Sequence, residues 1–276
     1  MTRTAFHALV TQPARMVAGL WAHRDLIVQF TRRNIALRHR GSRLGAFWAL
    51  INPLSMLALY FVIFGLFFQQ SFGFPAETRF DFSLAMFLGL TLYHAFSETL
   101  GWAPGVITAN PNFVKKVVFP LEVLPVAHMG STAFHLLVGI GLVFAGALAS
   151  TPGLTVHVLW LPVLVAPLLL IGLGVGWFLS ALGVFVRDIG QLTGFLSTAL
   201  LFATAVTFPP GKIPPELSIL HYNPLFQIID LARRCVLWGE PMHFGWLAYV
   251  YAVSVLVLIV GALFFSLLRR SFAEVL

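Results

Sequence analysis

The chain has 276 residues, of which 59% are hydrophobic and only 10% charged, and this excludes an ordinary water-soluble domain, where about 25% of residues are charged. Its apolar residues come in long runs instead of alternating at period two, so an all-α integral membrane protein is expected and an outer-membrane barrel is not. The formal net charge of +7 is read by its location along the chain, as befits a membrane protein, and not as nucleic-acid binding, while a lone Cys235 excludes an internal disulfide and multi-cysteine metal centres.

Residues 1–45 read as a cytoplasmic N-terminal segment that is retained, because arginines stud it and no signal-peptide pattern is present. Within it, "HRDLIVQFTRRNIALRHRGSR" sets Leu26, Ile27, Phe30, Ala36 and Leu37 among arginines that include Arg32 and Arg33. Such a pattern fits an amphipathic interfacial helix, and equally a generic topology anchor. Residues 46–276 read as a six-span transmembrane domain. The spans, approximately 47–68, 82–103, 121–149, 155–186, 190–208 and 246–268, are each close to or above the roughly 20 residues needed for a 30 Å core.

In the first span Tyr60, Phe61, Phe64, Phe67 and Phe68 recur at three- and four-residue spacing. They form either a lipid-facing belt or a channel-lining wall against which sugar rings can slide. The second span carries His94 one turn before Glu98, which could be a proton relay, half a metal site or a hydrogen-bonded pair. Glu98 falls about 24 Å along that span, near its cytoplasmic edge, and so argues against a midplane ion-coupling site.

Between spans two and three lies "NPNFVKKVVFPLEVLP", too charged and proline-broken to cross a membrane and too apolar for a free loop. A short cytoplasmic helix over about 112–119 is expected. Lys115 and Lys116 would face a partner or headgroups, Phe113, Val117 and Val118 would wedge inward, and Glu122 follows. His128 and His135 lie two turns apart on span three with no acid nearby in sequence, and read as packing or pore-wall residues. In span four, Pro162 and Pro167 are kink points, and "GLGVG" at 172–176 suits close helix packing better than nucleotide binding. "FVRDIGQ" turns tightly into span five, where Arg187 and Asp188 would cap helix ends or form a stiff contact point.

The segment 209–245 is an outer connection with structure of its own. "NPLFQIIDLARRCVLW" puts Leu225, Ile228, Ile229, Ala232 and Val236 on one stripe and Asp230, Arg233 and Arg234 elsewhere around it. A helix lying at, or dipping into, the outer leaflet is expected. With both termini inside, thirteen basic residues fall on the cytoplasmic face against four outside, Arg79, Lys212, Arg233 and Arg234, which satisfies the positive-inside bias.

No G-x-x-x-x-G-K-[ST] phosphate cradle occurs, so the chain by itself is not expected to hydrolyse ATP. The arginine-rich lead, "RHRGSRLGAFWALINPLSMLALYFVIF", "ANPNFVKKVVFPLEVLPV", "VRDI" and "YNPLFQIIDLAR", in that order, resemble the membrane subunit of polysaccharide-exporting ABC transporters. Among these the resemblance is nearest to O-antigen exporters, with teichoic-acid and capsule exporters as relatives. It implies a non-catalytic permease of the bacterial inner membrane. Two copies would join two copies of an ATP-binding cassette ATPase, which holds the ATP and magnesium, to export a lipid-linked polysaccharide. It also implies ATPase coupling through Arg32, Arg33, Asn112, Phe113, Lys115, Lys116, Glu122, Arg187 and Asp188. An outer gate at Asn223, Pro224, Phe226, Asp230 and Arg233 completes the implied sites. From the residues alone, a membrane acyl- or glycosyltransferase using His94 and Glu98 stays open as an alternative, as does an ion-driven carrier.

Overall fold

A computed structural model describes residues 16, 18–38, 44–67, 71–73, 78–115, 119–150, 155–206, 208 and 210–276. Among these residues the regular structure is helical throughout, without strands, which agrees with the all-α expectation. Helix α1 is Arg24–Arg38, and α2, Trp48–Tyr60, continues through wide π turns over Phe61–Phe67. Helix α3 is Arg79–Trp102, the short α4 is Pro111–Lys115 and α5 is Val123–Ala147. Then come α6, Leu161–Phe185, α7, Ile189–Phe202, α8, Pro224–Ala232, and α9, Phe244–Leu268. A terminal turn, α10, is Phe272–Val275.

Among the described residues four stretches are long and apolar enough to cross a bilayer: Trp48–Leu66, Val123–Ala147, Val156–Phe185 and Phe244–Val275. Helix α3 has the length, 24 residues or about 36 Å, but carries Arg79, Asp81 and Glu98. Its residues 81–90 are all buried, so protein rather than lipid surrounds that half. Its start lies three residues before the sequence expectation because Thr78 and Asp81 form a capping box. Asp81 N donates to Thr78 Oγ1 at 3.1 Å, and Thr78 N donates to Asp81 Oδ2 at 2.9 Å.

Small residues set the tightest seam. A Cβ at Gly174 of α6 would run into the Val257 carbonyl of α9, and one at Gly261 into the Gly174 carbonyl, so only glycine permits this backbone approach. Of the two prolines in span four, Pro167 is inside α6, whereas Pro162 sits in its first turn, where a missing N–H costs nothing. A large core centred on α3, α6 and α8 fills the bundle. A second core, with Ile107, Leu121, Trp177, Phe265 and Phe272, lies at the end where the C-terminus and the α3–α5 connection meet.

Two details at the opposite end go beyond the sequence expectation. Helix α7 stops at Phe202 after 14 residues, about 21 Å, instead of running to 208. Helix α8 does not lie with a polar face open, since residues 225–232 are all buried and Arg233 is 0% exposed. One cause explains both. The backbone carbonyls freed where α7 unwinds are taken by side chains of the α8 segment: Asn223 Nδ2 donates to Ala203 O at 2.9 Å and Arg233 Nη2 to Val206 O at 2.6 Å. Arg233 Nη1 donates to Ala205 O, and its Nε reaches across to Ala85 O of α3 at 2.8 Å. The guanidinium also lies over the Phe72 ring, 4.2 Å from its centroid.

Replacing Arg233 by Met strips three buried carbonyls of their donors and is expected to cost roughly 3–9 kcal/mol, at about 1–3 kcal/mol for each lost partner. Thermal unfolding of the detergent-solubilised protein, followed by the loss of its monodisperse gel-filtration peak, measures this. Arg233→Lys is expected to recover only part, since one ammonium cannot reach all three acceptors on the two segments.

Candidate functional site

At the end of the bundle that holds the C-terminus, the connection from α3 to α5 forms a floor. Pro111 can open α4 because a first-turn residue has no intrahelical use for its N–H, and α4 is described as far as Lys115. Phe113 stacks near Phe119 with ring centroids 4.6 Å apart, and both touch Phe30 of α1 at 5.5 Å. Arg33 spreads over the Phe30 ring at 4.5 Å. Lys115 Nζ donates to the Leu276 carbonyl, and Arg269 Nη1 donates to both oxygens of Glu122 at 3.0 and 2.8 Å, so the C-terminal turn is tied to the floor.

Of the residues to which the sequence assigned coupling, Arg32, Arg33, Asn112, Lys115, Arg187 and Asp188 are exposed, Phe113 is half-buried and Glu122 is buried. Asp188 stands at the N-cap position of α7 without a side-chain capping bond. Lys116, with Val117 and Val118, lies outside the described residues.

Above this floor α1 runs alongside α5. Thr31 Oγ1 donates to Ala127 O at 3.2 Å, and a Cβ at Gly130 would strike the Thr31 side chain. One end of α1 is pinned by charge. Arg38 Nη1 lies 2.5 Å from Glu98 Oε1 of α3 and 3.1 Å from His135 Nδ1 of α5, and the same Glu98 oxygen is 3.8 Å from that imidazole. Two sequence expectations change here. His135 does have an acid beside it, brought by the fold from 37 positions away in the chain. Glu98 is engaged by Arg38 and His135, and among the described residues no hydrogen bond joins it to His94.

The Arg38–Glu98 pair separates two hollows. One, of about 480 Å³, opens between α2, α3 and α5 and is lined by Asn52, Met56, Tyr60, Thr91, His94 and Gly139 as well as the pair itself. The other, of about 570 Å³, lies toward Asn34, Trp102, His128 and Ser131, with the His128 and Trp102 rings stacked at 5.2 Å. Aromatic carbon, hydroxyls, imidazoles and an ion pair in one wall suit an amphiphile with a polar head. Of the five aromatics expected to line a channel, Tyr60 faces the first hollow. Phe61 turns to Phe80 of α3 with centroids 6.4 Å apart, and Phe64 pairs with Tyr60 at 6.3 Å. Phe68 and the Phe67 side chain lie outside what is described. Among the described residues no group of three or more His, Cys, Asp or Glu converges as a metal site, and Cys235 is buried with its Sγ 3.9 Å from Met242 Sδ.

At the far end Asn223 caps α8 by accepting from Leu225 N at 3.0 Å. Pro224 holds the first helical position, Phe226 packs edge-on to His221 with ring centroids 5.2 Å apart, and Asp230 and Arg233 are buried. Sequence reasoning missed Arg38 as a partner for the second span, and Ser97 and Ser197, whose hydroxyls meet at 2.6 Å to join α3 to α7. Nothing in the local pattern marks these, because each partner comes from a distant element.

The profile of a known family, described as ABC-2 type transporter, matches residues 25–237. The chain belongs to the ABC-2 type transporter family. As a member it is similar to the O-antigen export system permease protein RfbA of Klebsiella pneumoniae, 26% identical over 91% of this chain and 95% of that protein. It is likewise similar to the O-antigen export system permease protein RfbA of Myxococcus xanthus, at 27% over 94% and 98%. The polysialic acid transport protein KpsM of Escherichia coli is 25% identical over 83% and 88%. The stretch shared with the ABC-2 family runs from the second residue of α1 to the last turn after α8, so it takes in both Arg38 and Arg233.

Because Gly130 is the point where α1 approaches α5 most closely, Gly130→Val is expected to detach α1 while leaving the bundle folded. Hydrogen exchange over residues 24–38 should rise at least tenfold. Adding Thr31→Ala to a milder Gly130→Ala variant should restore protection, since it removes the atoms that clash.

Proposed function

We propose that the chain is the permease subunit of an ATP-driven exporter that moves a lipid-linked, O-antigen-like polysaccharide outward across the bacterial inner membrane. The observation that carries this reading is the end-to-end similarity to relatives named for O-antigen export and polysialic acid transport, within a family of ABC-2 type transporters. On this reading α3 and α7 also cross the membrane, giving six spans in a 46–276 domain behind the 1–45 segment, with both termini cytoplasmic. The exposed basic residues of the floor, Arg32, Arg33, Lys115 and Arg187, support that orientation.

The ATP and magnesium belong to a separate ATPase, two copies of which serve two copies of this chain. Faces of α2 and α7 with Leu54, Leu59, Leu192 and Phe195 exposed leave apolar surface for lipid and for the second copy. The floor offers a route for the stroke. A push on α4 reaches α1 through the Phe30, Phe113 and Phe119 cluster, and α1 reaches the cavity walls α3 and α5 through Arg38. Tyr60 and its aromatic neighbours then border the path of the polymer, and α8 with Asn223, Pro224, Phe226, Asp230 and Arg233 closes its outer end. The transferase reading gains nothing from the geometry, since Glu98 is bound to Arg38 instead of poised beside His94.

Cells that lack the chain should lose a surface polysaccharide that returns with the wild-type gene. Lys115→Glu with Lys116→Glu should reduce export at least tenfold at unchanged expression and release a co-purifying ATPase. Normal export with the ATPase still bound would remove the coupling role from this pair, and an unchanged surface glycan in the deletion strain would overturn the export reading itself.

A further inference from the structure

A third hollow, of about 440 Å³, lies at the end of the bundle opposite the floor, where residues 71–73, 210–211 and the α8 segment meet. We propose that it is a saccharide-binding subsite that takes neutral, hydroxyl-rich sugar units of the exported glycan as they leave, a site that rests on the export reading above. Its wall includes Asp230 and Arg234, each with one side-chain atom that no described residue satisfies. Asp230 is only 9% exposed, and its Oδ1 has no hydrogen-bond partner among the described residues. Arg234 Nε is also buried without a hydrogen bond, although it stands 3.2 Å from Asp230 Oδ2, close enough for attraction but at an angle too poor for a bond.

Leaving both atoms so is costly, about 1–3 kcal/mol for each buried group. Both atoms are sealed from the hollow as they stand, so a ligand meets them only by turning these side chains toward it. A hydroxyl is the group that would answer both, since it donates to a carboxylate and accepts from a guanidinium N–H. The carboxylate torsion is broad, so Asp230 can turn an oxygen toward such a group without leaving its rotamer well.

Two further features favour a sugar over a single water molecule. The hollow is many times the roughly 30 Å³ that one water occupies. Trp238 forms part of its wall, and an indole offers the apolar C–H face of a pyranose a flat surface. Electrostatics favours an uncharged unit. Arg234 is shared between Asp230 and Glu240, 3.3 Å away, while Arg233 sits beneath with its own charge spread over carbonyls and the Phe72 ring. Two acids face two cations, so an anionic sugar gains no net attraction.

The test uses the full chain in lipid nanodiscs with two neutral probes and one acidic one. The neutral probes are a hexasaccharide of mannose and the oligosaccharides released by mild acid from the surface glycan that depends on this chain. The acidic probe is a sialic acid hexamer. Saturation-transfer NMR should detect the neutral probes, and Asp230→Asn and Trp238→Leu should each weaken them at least tenfold, with the acidic hexamer bound no better than either. Asp230→Asn keeps the side-chain shape, so it reports on recognition even where the Trp238 variant folds poorly. Failure of both neutral probes to bind, or equal binding by wild type and Asp230→Asn, would mean that the hollow holds water only and would overturn the subsite. That result leaves glycan export standing. If the deletion strain keeps its glycan, the export reading falls instead, and the mannose hexasaccharide still decides whether the pocket binds sugar.

Discussion

A single guanidinium holds together the end of this bundle that lies opposite the C-terminus. Arg233 is wholly buried, yet its hydrogen bonds go to backbone carbonyls, not to a carboxylate. Those carbonyls are available only because α7 unwinds after Phe202, and the unwound turn is tolerable only because Arg233 and Asn223 cover it. Helix break and buried cation are therefore one feature. Through it, α3, the end of α7, the segment around Phe72 and α8 become mutually dependent, and Gly89 of α3 must lack a side chain to admit the guanidinium. The wide π turns at Arg233–Leu237 fit the same picture, because a local widening lets the side chain swing out of helical register toward its acceptors.

The opposite end is tied differently, and the contrast has mechanical meaning. There the links are an aromatic cluster, a bidentate contact of Arg269 with Glu122 and the Arg38–Glu98 pair. Arg38 is half exposed, with 50% of its side chain accessible and 27% of its partner's, so water screens much of that attraction. Contacts worth about 1 kcal/mol or less can be exchanged by a partner that binds there, whereas a buried cation with three acceptors cannot be dislodged at that scale. The bundle is thus stiff at the end that Arg233 holds and more yielding at the floor. The same asymmetry divides its sides: glycine brings α6 and α9 into backbone contact, while α2 leaves room against α3 and α5.

How much of this was legible in the sequence follows from the range of each interaction. Long apolar runs gave the helices, and the Thr78 to Asp81 spacing was there to give the start of α3, three residues before the apolar run that set the expectation. Proline and lysine content marked the floor as neither span nor loop. The enclosure of α8 was not legible, because the stripe of Leu225, Ile228, Ile229 and Ala232 is as good for a helix at a membrane surface as for one inside protein. What decides between them is where Arg233 finds acceptors, and these are 27, 28 and 148 residues away. His135 gave no sign of its acid for the same reason. The aromatic run of the first span was visible, but its split between the hollow at Tyr60 and the α3 contact of Phe61 depends on a widened helix that no spacing rule anticipates.

Acidic side chains are scarce here, and the fold consumes most of those that matter. Asp81 closes a helix cap, Glu98 holds Arg38, Glu122 holds Arg269, and Asp230 and Glu240 share Arg234. Each joins or terminates elements inside the bundle. The exposed cations of the floor, Arg32, Arg33, Lys115 and Arg187, are therefore left without an acidic ion-pair partner among the described residues. Arg33 is spread over an aromatic ring, which does not neutralise its charge, while Lys115 donates to a main-chain oxygen of Leu276. Asp25, Asp188 and Glu274 are exposed and, among the described residues, uncommitted, and they offset part of this charge, so the floor is positive through the excess of arginine and lysine over these acids. A surface in that state attracts whatever anionic face comes nearest, headgroups at its rim and an acidic protein surface at its centre, and the two can coexist because the cations lie on three separate elements.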